Sequence, residues 1–503
     1  MAVIADTTSG KIAGRQKGGV LLFAGVPFAA PPIGDRRFKA PEPHEGWSDV
    51  RDATLFGRVA VQVGDSLGAL GAAPAPDWSE DCLFLNVQTP ALDDARRPVM
   101  VWIHGGAFVN GTGAMPWYDG ANFVRHGDVV VVSINYRLGA LGWLELGHLD
   151  PDYDTSGNNG LLDQIAALRW VHDNIDGFGG DPDNVTIFGE SAGAMSVGTL
   201  LGTPAATGLF AKAIAQSGAA HNVSSMESAT VVTGAFLKEL GGGGLEAVAT
   251  AEPARLLEAQ QAVSQAMVSG HIQRPVTSAS GLPFGPVIDG AVLPRHPAEA
   301  IRDGLADSIP LLTGTTRDEW NLFGLMDRRV EDVDTLIRRL RRFVDKPEPV
   351  AAAYRGARAQ DDDDALFKGI MTDRMFRVPA IRMAESQAAH QPENTFMYLF
   401  EYASTAFDGR LGSCHALEIP FVFDNLHKAG AELLTGPEPP QSVADAMHAA
   451  WIAFVRTGSP VNDARPEWPA YDTRRRTTMY FGVPCHLESD PASAERLAWS
   501  GLL

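Results

Sequence analysis

Val185-Thr186-Ile187-Phe188-Gly189-Glu190-Ser191-Ala192-Gly193-Ala194-Met195-Ser196-Val197 decides the reading of this chain. The first four residues predict a strand, and the small residues after Ser191 predict a helix. Between them, Gly-Glu-Ser-Ala-Gly has the G-x-S-x-G spacing of a nucleophile elbow, a turn so sharp that it strains the serine backbone and lifts its hydroxyl above the sheet. The flanking glycines are required because side chains there would collide as strand and helix close together. The pentapeptide alone recurs by chance in long chains. Its strand–turn–helix context makes Ser191 the candidate nucleophile, which in turn demands a base, an acid and donors for an oxyanion.

Working outward, residues 99–103 and 129–134 are uninterrupted apolar runs of the kind buried on both faces of a parallel sheet. Between 159 and 176, Leu161, Leu162, Ile165, Leu168, Val171 and Ile175 recur at helical spacing. Further strands are expected at 80–87, 213–215, 309–313, 395–400 and 479–481, and a helix at 441–456. Residues 1–60 predict short antiparallel strands and a proline-rich loop, and 63–79 a surface loop. Strand and helix alternate, so the fold class is α/β, a doubly wound, mostly parallel sheet with helices on both faces. We expect one domain over 1–503, with helical segments near 222–280 and 322–392 packed over the active-site end. The acidic run at 361–364 lacks the turn glycines of a calcium loop and is expected to be a solvated loop.

Composition narrows the function. The 503 residues carry a net charge of −20, which argues against nucleic acid and anionic membranes as partners. Three cysteines, Cys82, Cys414 and Cys485, are too few for a disulfide framework or a cysteine-rich zinc site. The N-terminus has no basic stretch followed by an apolar one, and no run approaches the ~20 apolar residues of a membrane span. These features lead us to expect a cytoplasmic protein that acts as a monomer, with no metal and no cofactor.

The oxyanion donors are sought at His104-Gly105-Gly106-Ala107-Phe108, which follows an apolar strand as the glycine loop of an α/β-hydrolase does. Backbone N–H groups suit the task because they are fixed before reaction. Gly106, Ala107 and Ala192 are the candidate donors; His104 precedes the turn and reads as structural. The base must be a histidine beyond the acid, among His390, His415, His427, His448 and His486. His448 sits in an amphipathic helix, and nothing marks a pocket at His390, His427 or His486. His415, in a glycine-containing loop ahead of a helix start, is the best candidate. For the acid, Asp318 and Glu319 both follow the strand at 309–313, and Asp289 also competes; residue type does not separate them.

Residues 178–193 resemble the serine signature of the type-B carboxylesterase family, and 80–87 are similar to its EDCLxLNV signature. The resemblance continues through Phe28 to Gly34, Arg37 to Pro41, Trp47 to Ala53, Asn135 to Gly139 and Gly160 to Gln164, covering nearly the whole chain. It is strongest to bacterial para-nitrobenzyl-esterase-like members. It implies a serine carboxylesterase, a carboxylic ester hydrolase, that acts on small-molecule esters through an acyl-enzyme. It places the triad on Ser191, Glu319 and His415, the oxyanion loop on Gly105, Gly106, Ala107 and Phe108, and supporting roles on Ser217 and Glu190. Secreted relatives pair the cysteine matching Cys82 with one in a segment that here reads Gly57 to Gln62, so Cys82 is expected to be free. Trp320 stands where the family has glycine after the acid, which puts the pocket wall in question. The family's cholinesterase tryptophan has no counterpart in 63–79, which argues against a choline-specific enzyme. A carbamate or amide hydrolase would use the same residues with a different pocket. A non-catalytic binding protein of the same fold would be expected to have lost a triad position.

Overall fold

The computed structural model describes residues 3–64, 77–272, 281–325, 327–463 and 467–502. Fifteen strands run β1 (Val3–Thr7), β2 (Gly10–Lys17), β3 (Val20–Pro27), β4 (Arg51–Asp52), β5 (Phe84–Thr89), β6 (Arg97–Ile103), β7 (Val130–Ile134), β8 (Gly180–Glu190), β9 (Lys212–Gln216), β10 (Ser224–Ser225), β11 (Val287–Ile288), β12 (Leu311–Thr316), β13 (Thr395–Phe400), β14 (Thr477–Phe481) and β15 (His486–Ser489) among the described residues. The main sheet has the order β1-β2-β3-β5-β7-β6-β8-β9-β12-β13-β14-β15, with β4 on β2. From β7 to β14 every neighbour is parallel, while β1, β2, β3 and β5 on one side and β15 on the other add antiparallel edges, and β4 lies parallel to β2. Residues of β7, β9 and β13 are buried throughout, which is why their sequences read as runs without alternation.

The topology chooses the place for a site. The chain leaves β6 toward β7 on one side and returns to β8 on the other, so the strand order reverses between β6 and β8. A crevice opens outside the carboxyl ends of strands at such a switch point. The loop His104 to Phe108 leaves β6 there, and Ser191 leaves β8 beside it.

The helix expected at 159–176 spans Asn159–Asn174 and buries Leu161, Ile165, Leu168 and Val171. The region 222–280 contains helices Met226–Glu239, Gly244–Thr250 and Pro253–Val268; residues 273–280 lie outside the described residues. The region 322–392 contains Val333–Leu340, Pro347–Ala357, Asp363–Thr372 and Val378–Ala388, the last two joined by a π-helical turn, Asp373–Arg377. Most of the expected loop at 63–79 falls outside the described residues.

Two expectations need correcting, and one strand was not anticipated. The strand anticipated at 80–87 begins only at Phe84, because Glu80 turns aside to pair with Arg37 and only the later residues reach β3 and β7. The acidic run is no free loop: Asp362 accepts the N–H of Ala365 at 2.9 Å and caps the helix Asp363–Thr372. Carboxylates at that end also oppose the helix dipole favourably, and Asp364 accepts the Val330 N–H at 2.9 Å and pairs with Lys368 at 2.9 Å. The edge strand β15 went unread, its four residues being exposed and without an apolar pattern.

Candidate active site

Ser191 occupies φ 57°, ψ −125°, a conformation L-residues avoid. It is held there by its N–H on the Gln216 carbonyl at 2.9 Å and by its own carbonyl accepting from Met195 at 2.8 Å. Gly193 has no substitute, since a Cβ there would stand 1.9 Å from the Ile103 carbonyl oxygen. β6 and the elbow helix Ala192–Leu201 meet backbone to backbone at that point.

The loop after β6 turns through three left-handed residues, Gly106 (φ 108°), Ala107 (φ 54°) and Phe108 (φ 61°). A Cβ on Gly106 would lie 2.1 Å from the Asn110 carbonyl. Among the described residues the N–H groups of Gly106 and Ala107 donate to no protein acceptor. The Ala192 N–H opens the elbow helix, where no helical acceptor is available. Gly105 closes the gap between loop and elbow: a Cβ there would be 3.0 Å from Ser191 Cβ and 3.1 Å from Glu190 Oε2. His104 is buried and stacked on Tyr136 at 4.5 Å, and its Nδ1 lies 2.8 Å from the Gly105 carbonyl. Burial lowers its pKa to about 4, so it is neutral at pH 7.

On the other side, His415 Nδ1 lies 2.6 Å from Glu319 Oε2, although 96 residues separate them. Glu319 is fully buried, and its second oxygen accepts the Thr316 N–H at 2.9 Å. Its rivals are spent elsewhere. Asp318 accepts the Ser413 N–H at 2.9 Å and faces Arg317, and Asp289 closes a turn on Ala291 and Leu293 while accepting from Asn158. Among the histidines, His448 is buried with Nδ1 on the Val422 carbonyl and its ring on Phe123, His390 contacts the Arg302 carbonyl, and His486 is half-exposed near Glu401.

His415 Nε2 has no hydrogen-bond partner, and Glu190 Oε1 lies 3.1 Å from it. The Glu190 carboxyl is raised well above the usual carboxylate range, first by burial and then by the charge of Glu319. A third carboxyl, Glu418, was missed in the sequence. It is buried, accepts from Gln216 Nε2 at 3.4 Å, and is raised by burial and by Glu190 and Glu319. Its position three residues after His415 was the available signal. Ser217 is buried at φ 53° with its N–H on the Gly314 carbonyl and its hydroxyl unpartnered.

Two aromatic rings also went unread. Phe376 and Phe323 stack on each other, 6.0 Å apart and 6° from parallel, and lie 4.7 and 5.1 Å from the His415 ring. Trp320 donates its N–H to Thr372 Oγ1 at 3.1 Å and packs its indole on Phe323 at 5.0 Å, so the residue that departs from the family pattern extends this wall. Among the described residues, no cluster of His, Cys, Asp or Glu is placed to hold a metal ion, and no helix is long and apolar enough to cross a membrane. Cys82, Cys414 and Cys485 are unpaired.

A doubly wound sheet with a strained serine and a glycine loop on adjacent strands at its switch point is an α/β-hydrolase. The chain belongs to the carboxylesterase family, whose sequence profile matches residues 2–495, and the activity of that family is carboxylic ester hydrolysis. It is 42% identical over 507 residues to the para-nitrobenzyl esterase of Bacillus subtilis (98% of this chain, 97% of the relative). It is 38% identical to the phenmedipham hydrolase of Pseudarthrobacter oxydans (93% and 92%). A carboxylesterase crystal structure from Geobacillus stearothermophilus superposes with a TM-score of 0.87 at 42% identity, covering 99% of both chains.

Proposed function

We propose that Ser191, His415 and Glu319 are the catalytic triad of this serine carboxylesterase. His415 takes the Ser191 proton as the hydroxyl attacks the ester carbonyl, and Glu319 fixes the ring and balances the imidazolium. The N–H groups of Gly106, Ala107 and Ala192 receive the oxyanion. The alcohol leaves with the proton from His415, and water hydrolyses the acyl-enzyme by the same route. The 2.6 Å contact between His415 and Glu319 carries this reading: it is a buried acid–imidazole pair, and the Nε2 of that imidazole lies 3.1 Å from Glu190, the residue before the strained Ser191. Nε2 stands free of hydrogen bonds; in resting enzymes this contact commonly tightens only with substrate.

Glu190 and Ser217 support the triad from beside the histidine and behind the elbow. The rings of Phe323, Phe376 and Trp320 suit small esters with an apolar or aromatic group, in keeping with a relative named for para-nitrobenzyl esters. The whole chain acts as one domain and a monomer, in the cytoplasm, a location that three unpaired cysteines favour. Labelling with an organophosphate followed by peptide mass mapping is expected to place the adduct on Ser191; an adduct elsewhere overturns the assignment. Turnover of matched ester, amide and carbamate substrates is expected to be highest for the ester, and a preference for the carbamate would replace the substrate class while leaving the triad.

A further inference from the structure

An exposed side chain hops between rotamers unless its neighbours hold it, and a wall that recognises flat groups has to be fixed before the ligand arrives. Phe323 is 41% exposed, yet its ring lies 5.1 Å from that of His415. It sits in the short helix Trp320–Gly324, none of whose residues is buried. The other ring on His415, Phe376, is 3% exposed and needs no such support.

Trp320 joins these parts. Its indole packs on Phe323 at 5.0 Å and 44°. Its backbone N–H donates to the hydroxyl of Thr372, a buried residue one position ahead of the π-helical turn that carries Phe376. It directly follows Glu319, so its place is fixed from the acid's side as well. The indole is half-buried against the main core, and among the described residues its Nε1 is buried with no hydrogen-bond partner. The ring therefore acts by packing and not by hydrogen bonding. Phe323 is held by Trp320 on one side and by Phe376, 6° from parallel, on another. Glycine, which the family carries at this position, has no side chain to hold it. The place of these rings decides which half of the ester meets them. His415 Nε2 hands its proton to the leaving oxygen, so the first carbons of the alcohol stand beside the imidazole and against Phe323.

We propose that Trp320 is a positioning residue that sets alcohol selectivity: by holding Phe323 against His415 it makes a fixed flat wall, which favours esters of planar, benzyl-type alcohols over esters of puckered alkyl alcohols of the same size. The proposal rests on the triad reading above, since His415 is what places the alcohol at the wall. Trp320 acts through Phe323.

The test compares benzyl acetate with cyclohexylmethyl acetate, which share the acyl group, the carbon skeleton and a primary alcohol and differ in the flatness of the ring. The ratio of their kcat/KM values is expected to fall about 3–10-fold in Trp320→Gly, the range one aromatic pair supplies, and to be largely restored in Trp320→Phe. The ratio for benzyl acetate against benzyl butyrate, which varies only the acyl group, is expected to stay within about twofold. In a Phe323→Leu background, Trp320→Gly is expected to change the alcohol ratio no further, because the residue it acts through is gone. Should the glycine variant fail to fold, Trp320→Leu, which keeps an apolar side chain, carries the same expectation with a fall of at least about threefold. An unchanged alcohol ratio, an acyl ratio that moves as much, a phenylalanine variant that behaves as the glycine one, or full additivity with Phe323→Leu overturns the proposal. An organophosphate adduct away from Ser191 overturns the triad reading instead, whereas an unchanged ratio in variants that still label at Ser191 overturns this proposal alone.

Discussion

Ser191 and the glycine loop are held by backbone; His415 and Glu319 are held by each other. On the nucleophile side, β6 and β8 are neighbours, and the contacts that fix the geometry are carbonyls against glycines, as at Gly193 and Gly106. Burial keeps His104, in that loop, uncharged down to about pH 4. On the histidine side, the geometry depends on side chains from distant segments and on three buried carboxyls, Glu190, Glu319 and Glu418. One side is rigid by construction, the other responsive to charge. Substitutions should therefore fail differently on the two sides.

The largest effect is expected at the nucleophile. Ser191→Ala should lower kcat for para-nitrophenyl butyrate by at least ~10⁴-fold with an unchanged unfolding midpoint; a residual rate above that would mean the hydroxyl is not the attacking group. Glu319→Gln comes next, with a loss of ~10³–10⁴-fold in kcat and little change in KM, because the amide no longer fixes the productive tautomer. Steady-state kinetics that show only a KM effect would remove Glu319 from the acid role. Gly106→Ala tests the backbone side: the added methyl meets the Asn110 carbonyl and turns the loop. A kcat loss of ~10²–10³-fold is expected, and near-normal kcat would place the oxyanion donors elsewhere.

The smallest effect concerns charge and stability. His221, just past the nucleophile elbow's neighbour strand, has both ring nitrogens buried and unpartnered, and burial lowers its pKa to about 3. Unfolded, it binds a proton near pH 6.5, so between pH 6.5 and 3 the unfolded chain holds the extra proton and stability falls as pH falls. Denaturant titrations at pH 6.5 and 5 should show the wild type losing about 2 kcal/mol more than His221→Asn over that interval. Equal losses would show that His221 does not titrate on unfolding.

The same contrast explains what the sequence discloses. The backbone side is written locally: an apolar run, a glycine turn and a helix of small residues lie within about a dozen positions, and local physics fixes their shape. The choice between Asp318 and Glu319 is not local. It depends on a turn after β12 that sends one carboxyl to the Ser413 amide and the other to His415, and Ser413 and His415 come from a segment almost a hundred residues on. The aromatic wall was hidden for a different reason. The sequence predicts helical segments over 322–392 without placing bends, whereas the π-helical turn Asp373–Arg377 inserts a residue and so re-aims Phe376. Pro379 was the available clue, because a proline inside a helix cannot serve the carbonyl four residues back and a widened turn relieves it.

That widened turn has a practical consequence. Asp373, where it starts, binds the Tyr354 hydroxyl, which in turn accepts from Trp499 Nε1 at 2.8 Å. The C-terminal helix Ser493–Ala498 is thus wired by two buried bonds to the segment whose next residues touch His415. Removing the indole N–H, as in Trp499→Phe, would therefore be felt at the turn that carries Phe376 against the His415 ring.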